Sequence, residues 1–317
     1  MTLGASVIGR SVLVRVPATS ANLGPGFDTL GLALAIYDEL TVIATAGPDV
    51  VVDVTGVGMG EVPTDESNLV ARSIAYTFER MGQAVPGLHL AANNVIPHGG
   101  GLGSSAAAIV SGVMAAKGLL DGVVELDLDL MLVIATELEG HPDNVAPALF
   151  GGLTIAWTAE SGPRARKLIV HRAVSPLVLV PGHSVSTALA RSLQPASVPF
   201  EDAVFNLSRS ALLIAALTQS PELLLEATED RLHQDYRASA MPETNALVHL
   251  LREQGFAAVV SGAGPSILIL ASDPSHRAAA AALVLEHAEN PWRALMAAVD
   301  FKGATVKAHQ VEATPQL

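Results

Sequence analysis

The run Pro97-His98-Gly99-Gly100-Gly101-Leu102-Gly103-Ser104-Ser105-Ala106-Ala107 constrains this chain more than any other stretch. The segment Leu88–Val95 before it has strand composition, and the Ala- and Val-rich Ser104–Leu120 after it predicts a helix buried on more than one face. A strand therefore feeds a glycine-rich turn that opens directly into a helix. Such a turn binds phosphate: glycine lets backbone approach an anion, free N–H groups of the first helical turn point at it, and the helix dipole adds a favourable field. Ser104 and Ser105 stand at the same helix start, where one hydroxyl can cap the helix and the other can reach a phosphate or a magnesium ion. The bland alternative is that Gly and Ser here only end a strand and cap a buried helix. The arrangement Gly101-x-Gly103-x-x-Ala106 formally matches a dinucleotide fingerprint but lacks a first βαβ unit, and there is no G-x-x-x-x-G-K-[ST] loop and no G-x-S-x-G elbow. What remains is a phosphate loop without a lysine.

Charge sets where such a phosphate can sit. Lys and Arg total 18 against 31 Asp and Glu, a net charge of −13, which is the wrong sign for coating nucleic acid or an acidic membrane surface. An anion must be held locally, by backbone. The 317 residues predict about two domains at roughly 100–200 residues each. Half of the residues are apolar and 15% charged, which excludes disorder, and the absence of cysteine excludes disulfides and thiolate metal sites. Aromatic residues at 4% do not provide stacking platforms for single-stranded nucleic acid. Arg10 and Arg15 interrupt any secretory h-region, and the uncharged stretch ending at Lys117 is broken by Pro97 and the glycines, so a cytoplasmic protein without a membrane span is expected.

Along the chain, strands are expected at Val12–Val16, Glu39–Thr45, Val50–Thr55 and Leu88–Val95, and helices at Asn68–Met81, Ser104–Leu120 and Met131–Glu139, the last stopped by Gly140-His141-Pro142. Gly152–Trp157 reads as a strand and Ala159–Arg166 as a polar turn. The second half predicts strands at Pro176–Val180, Ala257–Val260, Ile267–Leu270 and Gly303–His309. Its helices are expected at Ser186–Ser192, Asp202–Leu217, Pro221–Arg231, Glu243–Gln254 and His276–Glu286. This interleaving is α+β, without regular βαβ alternation, and places a boundary near residue 165, giving domains 1–165 and 166–317.

Pro97-x-x-x-Gly101-Leu102-Gly103-Ser104-Ser105-Ala106 resembles the ATP loop of the GHMP kinases. Pro17-Ala18-Thr19-Ser20-Ala21-Asn22-Leu23-Gly24-Pro25-Gly26-Phe27-Asp28 is similar to the N-terminal substrate motif of that family, and Val260-Ser261-Gly262-Ala263-Gly264-Pro265-Ser266 to its C-terminal glycine motif. The form of the first motif, with Glu139-Gly140-His141-Pro142-Asp143-Asn144, most resembles the branch that phosphorylates homoserine. The resemblance implies two domains, an N-terminal ribosomal-protein-S5-like α/β domain and a C-terminal ferredoxin-like α+β domain, that use ATP and Mg²⁺ to phosphorylate the side-chain hydroxyl of L-homoserine in threonine biosynthesis. It leaves room for a homodimer. A mevalonate-type GHMP kinase and a non-catalytic metabolite sensor on the same fold are the competing readings.

The residues themselves allow two readings at most positions. Asn22 and Asp28, in a loop with Gly24, Pro25 and Gly26, can stabilise the turn or converge on a small polar ligand; the resemblance implies contact with homoserine, with Asp28 at its ammonium group. Glu139, at a helix end, can be a solvated glutamate or hold Mg²⁺ with Ser104 or Ser105. The resemblance favours Glu139, and Glu137 stands two residues away as its alternative. It sets Asn144 against the substrate hydroxyl and leaves Asp143 as a neighbour or a weak base. A metal site at His141 and Asp143 lacks a third ligand at workable spacing in His98 or His171. Thr187 and Arg191 share a helix face, and with Arg237 match carboxylate-binding positions; the alternative is two surface arginines. Asn68 is an N-cap by position and resembles an adenine-pocket residue, while Pro97, Gly99, Gly100, Gly101, Leu102, Gly103, Ser104, Ser105 and Ala106 form the expected nucleotide loop. Asn22, Asn144 and Arg191 are the residues expected to act in transfer.

Overall fold

The computed structural model describes residues 7–309. Two sheets organise them. The first opens with a long antiparallel hairpin, β1 (Ser11–Asn22) and β2 (Gly26–Thr45), paired from Ser11 opposite Ile43 to Asn22 opposite Gly26 with register shifts after Pro17 and after Ala21. The expected loop over residues 22–28 therefore shrinks to a tight turn. The residues that close it pay in backbone conformation: Asn22, Leu23 and Asp28 have φ of 71°, 52° and 51°, in the left-handed region that side chains other than glycine rarely enter.

Strand β2 is long enough to serve two neighbours, pairing with β4 (Gly87–Asn94) over residues 39–45 and with β5 (Leu153–Ala159) over residues 30–32. β3 (Val50–Gly56) runs parallel to β4 at the far edge. β6 (Gly162–Leu168) occupies the stretch read as a polar turn; it pairs only with β5, so Pro163 lies on an edge strand where a missing N–H is tolerated. The closing strand β11 (Thr305–Ala308) returns to pair antiparallel with β1, although it comes from the far end of the chain.

Helix α1 (Leu69–Arg80) buries Ala71, Ile74 and Phe78 along one stripe, and its N-cap Asn68 accepts the Val70 N–H. Helix α2 (Ser104–Leu119) is buried nearly all round, as its apolar composition predicts. Its glycines allow close contact: a Cβ on Gly112 would overlap the Ser73 side chain of α1, and one on Gly118 would crowd Val12 and Val306. Helix α3 (Leu128–Glu139) stops at Gly140 in the left-handed region, as expected. A further helix, α4 (Pro142–Phe150), follows at once, because Pro142 sits at its first turn, where no intrahelical N–H is needed.

The second sheet contains four antiparallel strands in the order β10-β7-β9-β8: β7 (Ser175–Pro181), β8 (Ala258–Val260), β9 (Ile267–Ala271) and β10 (Trp292–Met296). Helix α8 (Pro242–Glu253) precedes β8 and α9 (Pro274–His287) precedes β10, so the order is βαββαβ, a ferredoxin-like split pair. Between β7 and α8 lie α5 (Thr187–Ser192), α6 (Phe200–Thr218) and a short α7 (Leu224–Ala227); the expected helix over residues 221–231 is limited to its first half. Strand β10 was not expected. Both faces of this sheet are buried: Val178, Val180, Val259, Leu268 and Leu270 join the main core, whereas Leu177, Leu179, Ala258, Ile267 and Ile269 pack under α8 and α9. That is why these strands read as continuous apolar runs. The first sheet extends to Leu168, beyond the expected boundary at residue 165, and the second begins at Ser175.

Candidate active site

The three motif segments meet at the N-terminus of α2. Thr19 N–H donates to Leu102 O (3.1 Å), Gly262 N–H to Ala21 O (3.1 Å), and Ser261 Oγ to Gly101 O (2.7 Å), with Ser20 Oγ 2.8 Å from Ser261 Oγ. A Cβ on Gly101, whose φ is +75°, would overlap Ser261 O, so the loop and the C-terminal glycine motif fit only as bare backbone. Gly103, at φ +68°, is the N-cap of α2 and supplies no side-chain cap, leaving the first N–H groups of α2 free to meet an anion.

Two cavities adjoin there. One is polar, lined by Asn22, Asp28, Gly99, Gly101, Gly103, Ser104, Ser105, Glu139, His141, Asp143, Asn144, Arg191, Arg237, Gly262 and Ala263. The other is mostly apolar, lined by Leu40, Val52, Val54, Pro63, Leu69, Val70, Leu90 and Ala92, with Asn68 on its wall. Ser104 and Ser105 border both. Of the residues expected in the nucleotide loop, Gly100, Leu102 and Ala106 line neither cavity, and Pro97 borders a separate open groove with His98, Val180 and Trp292. Leu102 and Ala106 are fully buried and anchor the loop to the core.

Helix α3 settles where its two glutamates point. Glu139 Oε2 accepts from Ser105 Oγ (2.7 Å), whereas Glu137 faces away, accepting from Tyr76 Oη (2.8 Å) and Arg80 Nη2 (3.0 Å). Burial pushes the Glu139 carboxyl above the usual carboxylate range, opposed by the Ser105 hydrogen bond and by the nearby His141. Among the described residues no three His, Cys, Asp or Glu side chains cluster as a metal cage. A hard carboxylate and a hydroxyl in contact beside free helix N–H groups suit Mg²⁺, which takes one or two carboxylates and completes its shell with phosphates and water.

Helix α4 presents the acceptor side. Asn144 Oδ1 accepts from Thr19 Oγ1 (2.9 Å), which fixes the amide and turns its NH₂ away from Thr19. Thr19, fully buried, belongs to the N-terminal motif, but its pairing with Asn144, 125 residues away, has no spacing signal in the sequence. Asp143, 2% exposed, engages His141 Nδ1 (2.5 Å). That hydrogen bond, ahead of the opposing effect of burial, raises the His141 pKa. Asp143 thus holds the imidazole.

Asn22 Nδ2 donates to Gly262 O (2.8 Å) and its Oδ1 accepts the Asp28 N–H (2.9 Å). Asn22 thereby ties the turn and also forms part of the cleft wall. Asn68 is likewise committed, accepting from Val70 N–H and donating to Pro63 O (2.8 Å). The second sheet's helical excursion clamps the same turn: Asn206 Nδ2 donates to Pro25 O (2.9 Å), and the buried His233 places Nε2 2.7 Å from Gly24 O and its ring 4.9 Å from Phe27. These two residues were missed.

Arg191 and Arg237 both reach the cleft. Arg191 donates two parallel bonds to Asp28, at 3.0 and 3.2 Å. Arg237 is 2% exposed, lies over the Phe27 ring and donates to Gly262 O (3.2 Å); burial, then the charge of Arg191, holds its pKa below the ordinary arginine value. Thr187 opens α5, but its side chain lies outside the described residues.

Comparisons with known proteins identify the family. Residues 68–152 match the model of the GHMP kinases N terminal domain, and residues 211–290 that of the GHMP kinases C terminal. The homoserine kinase of Clavibacter michiganensis subsp. michiganensis is 73% identical over 299 residues, covering 94% of this chain and 95% of the relative. That of Leifsonia xyli subsp. xyli is 71% identical over 298 residues, covering 94% and 92%. The crystal structure of homoserine kinase from Cytophaga hutchinsonii superposes with a TM-score of 0.81 at 28% identity, over 94% of this chain and 97% of that one. With its α+β architecture, its paired sheets and the three motifs converging on one helix N-terminus, the chain belongs to the GHMP kinase family, among its homoserine kinases.

Proposed function

We propose that the protein transfers the γ-phosphoryl group of ATP to the side-chain hydroxyl of L-homoserine, giving ADP and O-phospho-L-homoserine, in the cytoplasm. One observation carries this reading: a phosphate-binding helix N-terminus shares a cleft with a carboxylate, two guanidiniums and an oriented amide, a set that matches an amino acid bearing a hydroxyl. Asp28 takes the ammonium group, and Arg191 and Arg237 take the α-carboxylate. Asn144 donates its NH₂ to the acceptor oxygen, and Thr19 keeps it aimed. Asn22 acts through the turn it ties. The N–H groups at the start of α2 bind the phosphates, and the apolar pocket beside Asn68 takes the base.

Ser105 and Glu139 would hold Mg²⁺, which supplies charge neutralisation for the phosphoryl group when bound. Phosphoryl transfer through a loose transition state needs positioning and charge stabilisation more than a base. Asp143 accordingly serves by holding His141, and the acceptor proton needs no dedicated carboxylate. An ADP-release assay with L-homoserine and mevalonate, each with and without Mg²⁺, tests the reading. Turnover with homoserine, dependent on Mg²⁺, is expected; turnover with mevalonate alone would replace it by the mevalonate-type reading, and none with either would point to a sensor.

A further inference from the structure

The two groups assigned to opposite ends of the amino acid hold each other. Arg191 Nη2 donates to Asp28 Oδ1 and Nη1 to Asp28 Oδ2, a bidentate pair between α5 and β2, elements 163 residues apart. Those are the same atoms each would use on a ligand. A guanidinium grips a carboxylate through parallel N–H bonds, and here both are already committed to a carboxylate. Neither partner is locked away, since the side chains are 37% and 39% exposed. Asp28 itself is set rigidly, with φ +51° and its N–H bound to Asn22.

The surroundings decide what can replace this pair. Arg237, mostly buried in the cleft wall, adds a second positive charge that feels Arg191 directly. Asp143 is engaged by His141, Glu139 by Ser105, and Asp230 by the N–H groups of Leu232, His233 and Gln234, so Asp28 is the carboxylate in direct contact with Arg191. A ligand carboxylate that displaces Asp28 from Arg191 leaves an unpaired anion beside itself unless the ligand brings a cation. A ligand ammonium that takes Asp28 alone leaves Arg191 without its contacting carboxylate. A zwitterion replaces both halves at once.

We infer that the Asp28–Arg191 pair makes the acceptor site selective for zwitterions by charge exchange, with Asp28 excluding hydroxy acids by competing for Arg191; this rests on the assignment of the cleft to homoserine. It adds to the role of Asp28 as an ammonium ligand a second, opposing action on anions. The two actions separate in Asp28→Asn. Asparagine accepts a left-handed φ readily, so the turn survives.

Calorimetric titration with Mg²⁺ and a non-hydrolysable ATP analogue present compares L-homoserine with 4-hydroxybutyrate, which is homoserine without its amino group. In the variant, homoserine should bind about 30-fold more weakly, the loss of a charge-assisted bond to its ammonium. 4-Hydroxybutyrate should bind about fivefold more tightly, because a half-exposed ion pair no longer has to be broken. A homoserine loss without any gain for 4-hydroxybutyrate overturns the inference and leaves the ammonium assignment standing. A parent-like homoserine affinity refutes the acceptor assignment, and the inference with it. Melting curves confirm folding, and Asp28→Gly, which also accepts this φ, repeats both titrations should the asparagine variant melt early.

Discussion

Gly103 is the position where one added methyl group should be most damaging, and the structure says why. Its φ is +68°, where any side chain costs roughly 1–2 kcal/mol. A Cβ built there overlaps Thr19 Oγ1 and comes within 3.1 Å of Asn144 Oδ1, so it points at the pair that aims the acceptor amide and away from the nucleotide. Thr19 is fully buried and cannot swing into solvent; overpacking of this kind costs about 1–3 kcal/mol. Losing the Thr19–Asn144 hydrogen bond removes about 1 kcal/mol more. Gly103→Ala should therefore be destabilised by about 4 kcal/mol and melt roughly 10 °C below the parent. Its remaining folded fraction should bind the ATP analogue while kcat falls about 100-fold, since misplacement by an ångström has effects of that size. Thr19→Ala in the same chain opens space for the new methyl group. The double variant should recover part of the lost stability, so the two changes are non-additive. Strict additivity in thermal melts would show that the added methyl group does not meet Thr19, and a normally stable Gly103→Ala that no longer binds the analogue would place the glycine Cα against the nucleotide; either result refutes the argument.

Three further outcomes are expected. Thr19→Val, nearly isosteric, should keep ATP affinity and lower kcat about tenfold by releasing Asn144, as steady-state kinetics would show. Glu139→Gln should lower kcat by about 10²–10³, while Glu137→Gln, which touches only Tyr76 and Arg80, should leave it unchanged. Metal-free Glu139→Gln should also melt higher than the parent at neutral pH: the folded carboxyl has a raised pKa, so its charged form destabilises the fold above that pKa, and the advantage should vanish as melts are repeated at falling pH. Arg191→Ala should weaken homoserine about 30-fold and spare the ATP analogue in parallel titrations.

What could be read from the chain followed local chemistry. The glycine loop, the capped helix α1, the buried helix α2 and the apolar runs of the second sheet each follow from spacing and composition within a few residues. Punctuation misled where its meaning depends on position. Pro142 reads as a breaker yet begins α4, and Gly162-Pro163 reads as a turn yet begins an edge strand. The Glu137 and Glu139 alternatives were separable in principle, since residues two apart on a helix face about 200° apart and only one can enter a cleft. Thr19 with Asn144, Asp28 with Arg191 and Asn206 with Pro25 were beyond reach, because each pair forms only when distant elements pack.

The return of β11 to the edge of β1 makes the second sheet an insertion within the first rather than a sequel to it. Both of its connections leave from the first unit, so the two are tethered at two points. During synthesis the long hairpin emerges early, but the edge of β1 stays unpaired until the last strand leaves the ribosome, an interval of tens of seconds at roughly 5–20 residues per second. An open strand edge is a template for wrong partners. The completed first sheet is thus among the last features to form, because the outer edge of β1 gains its partner only after the strands of the second sheet have been made.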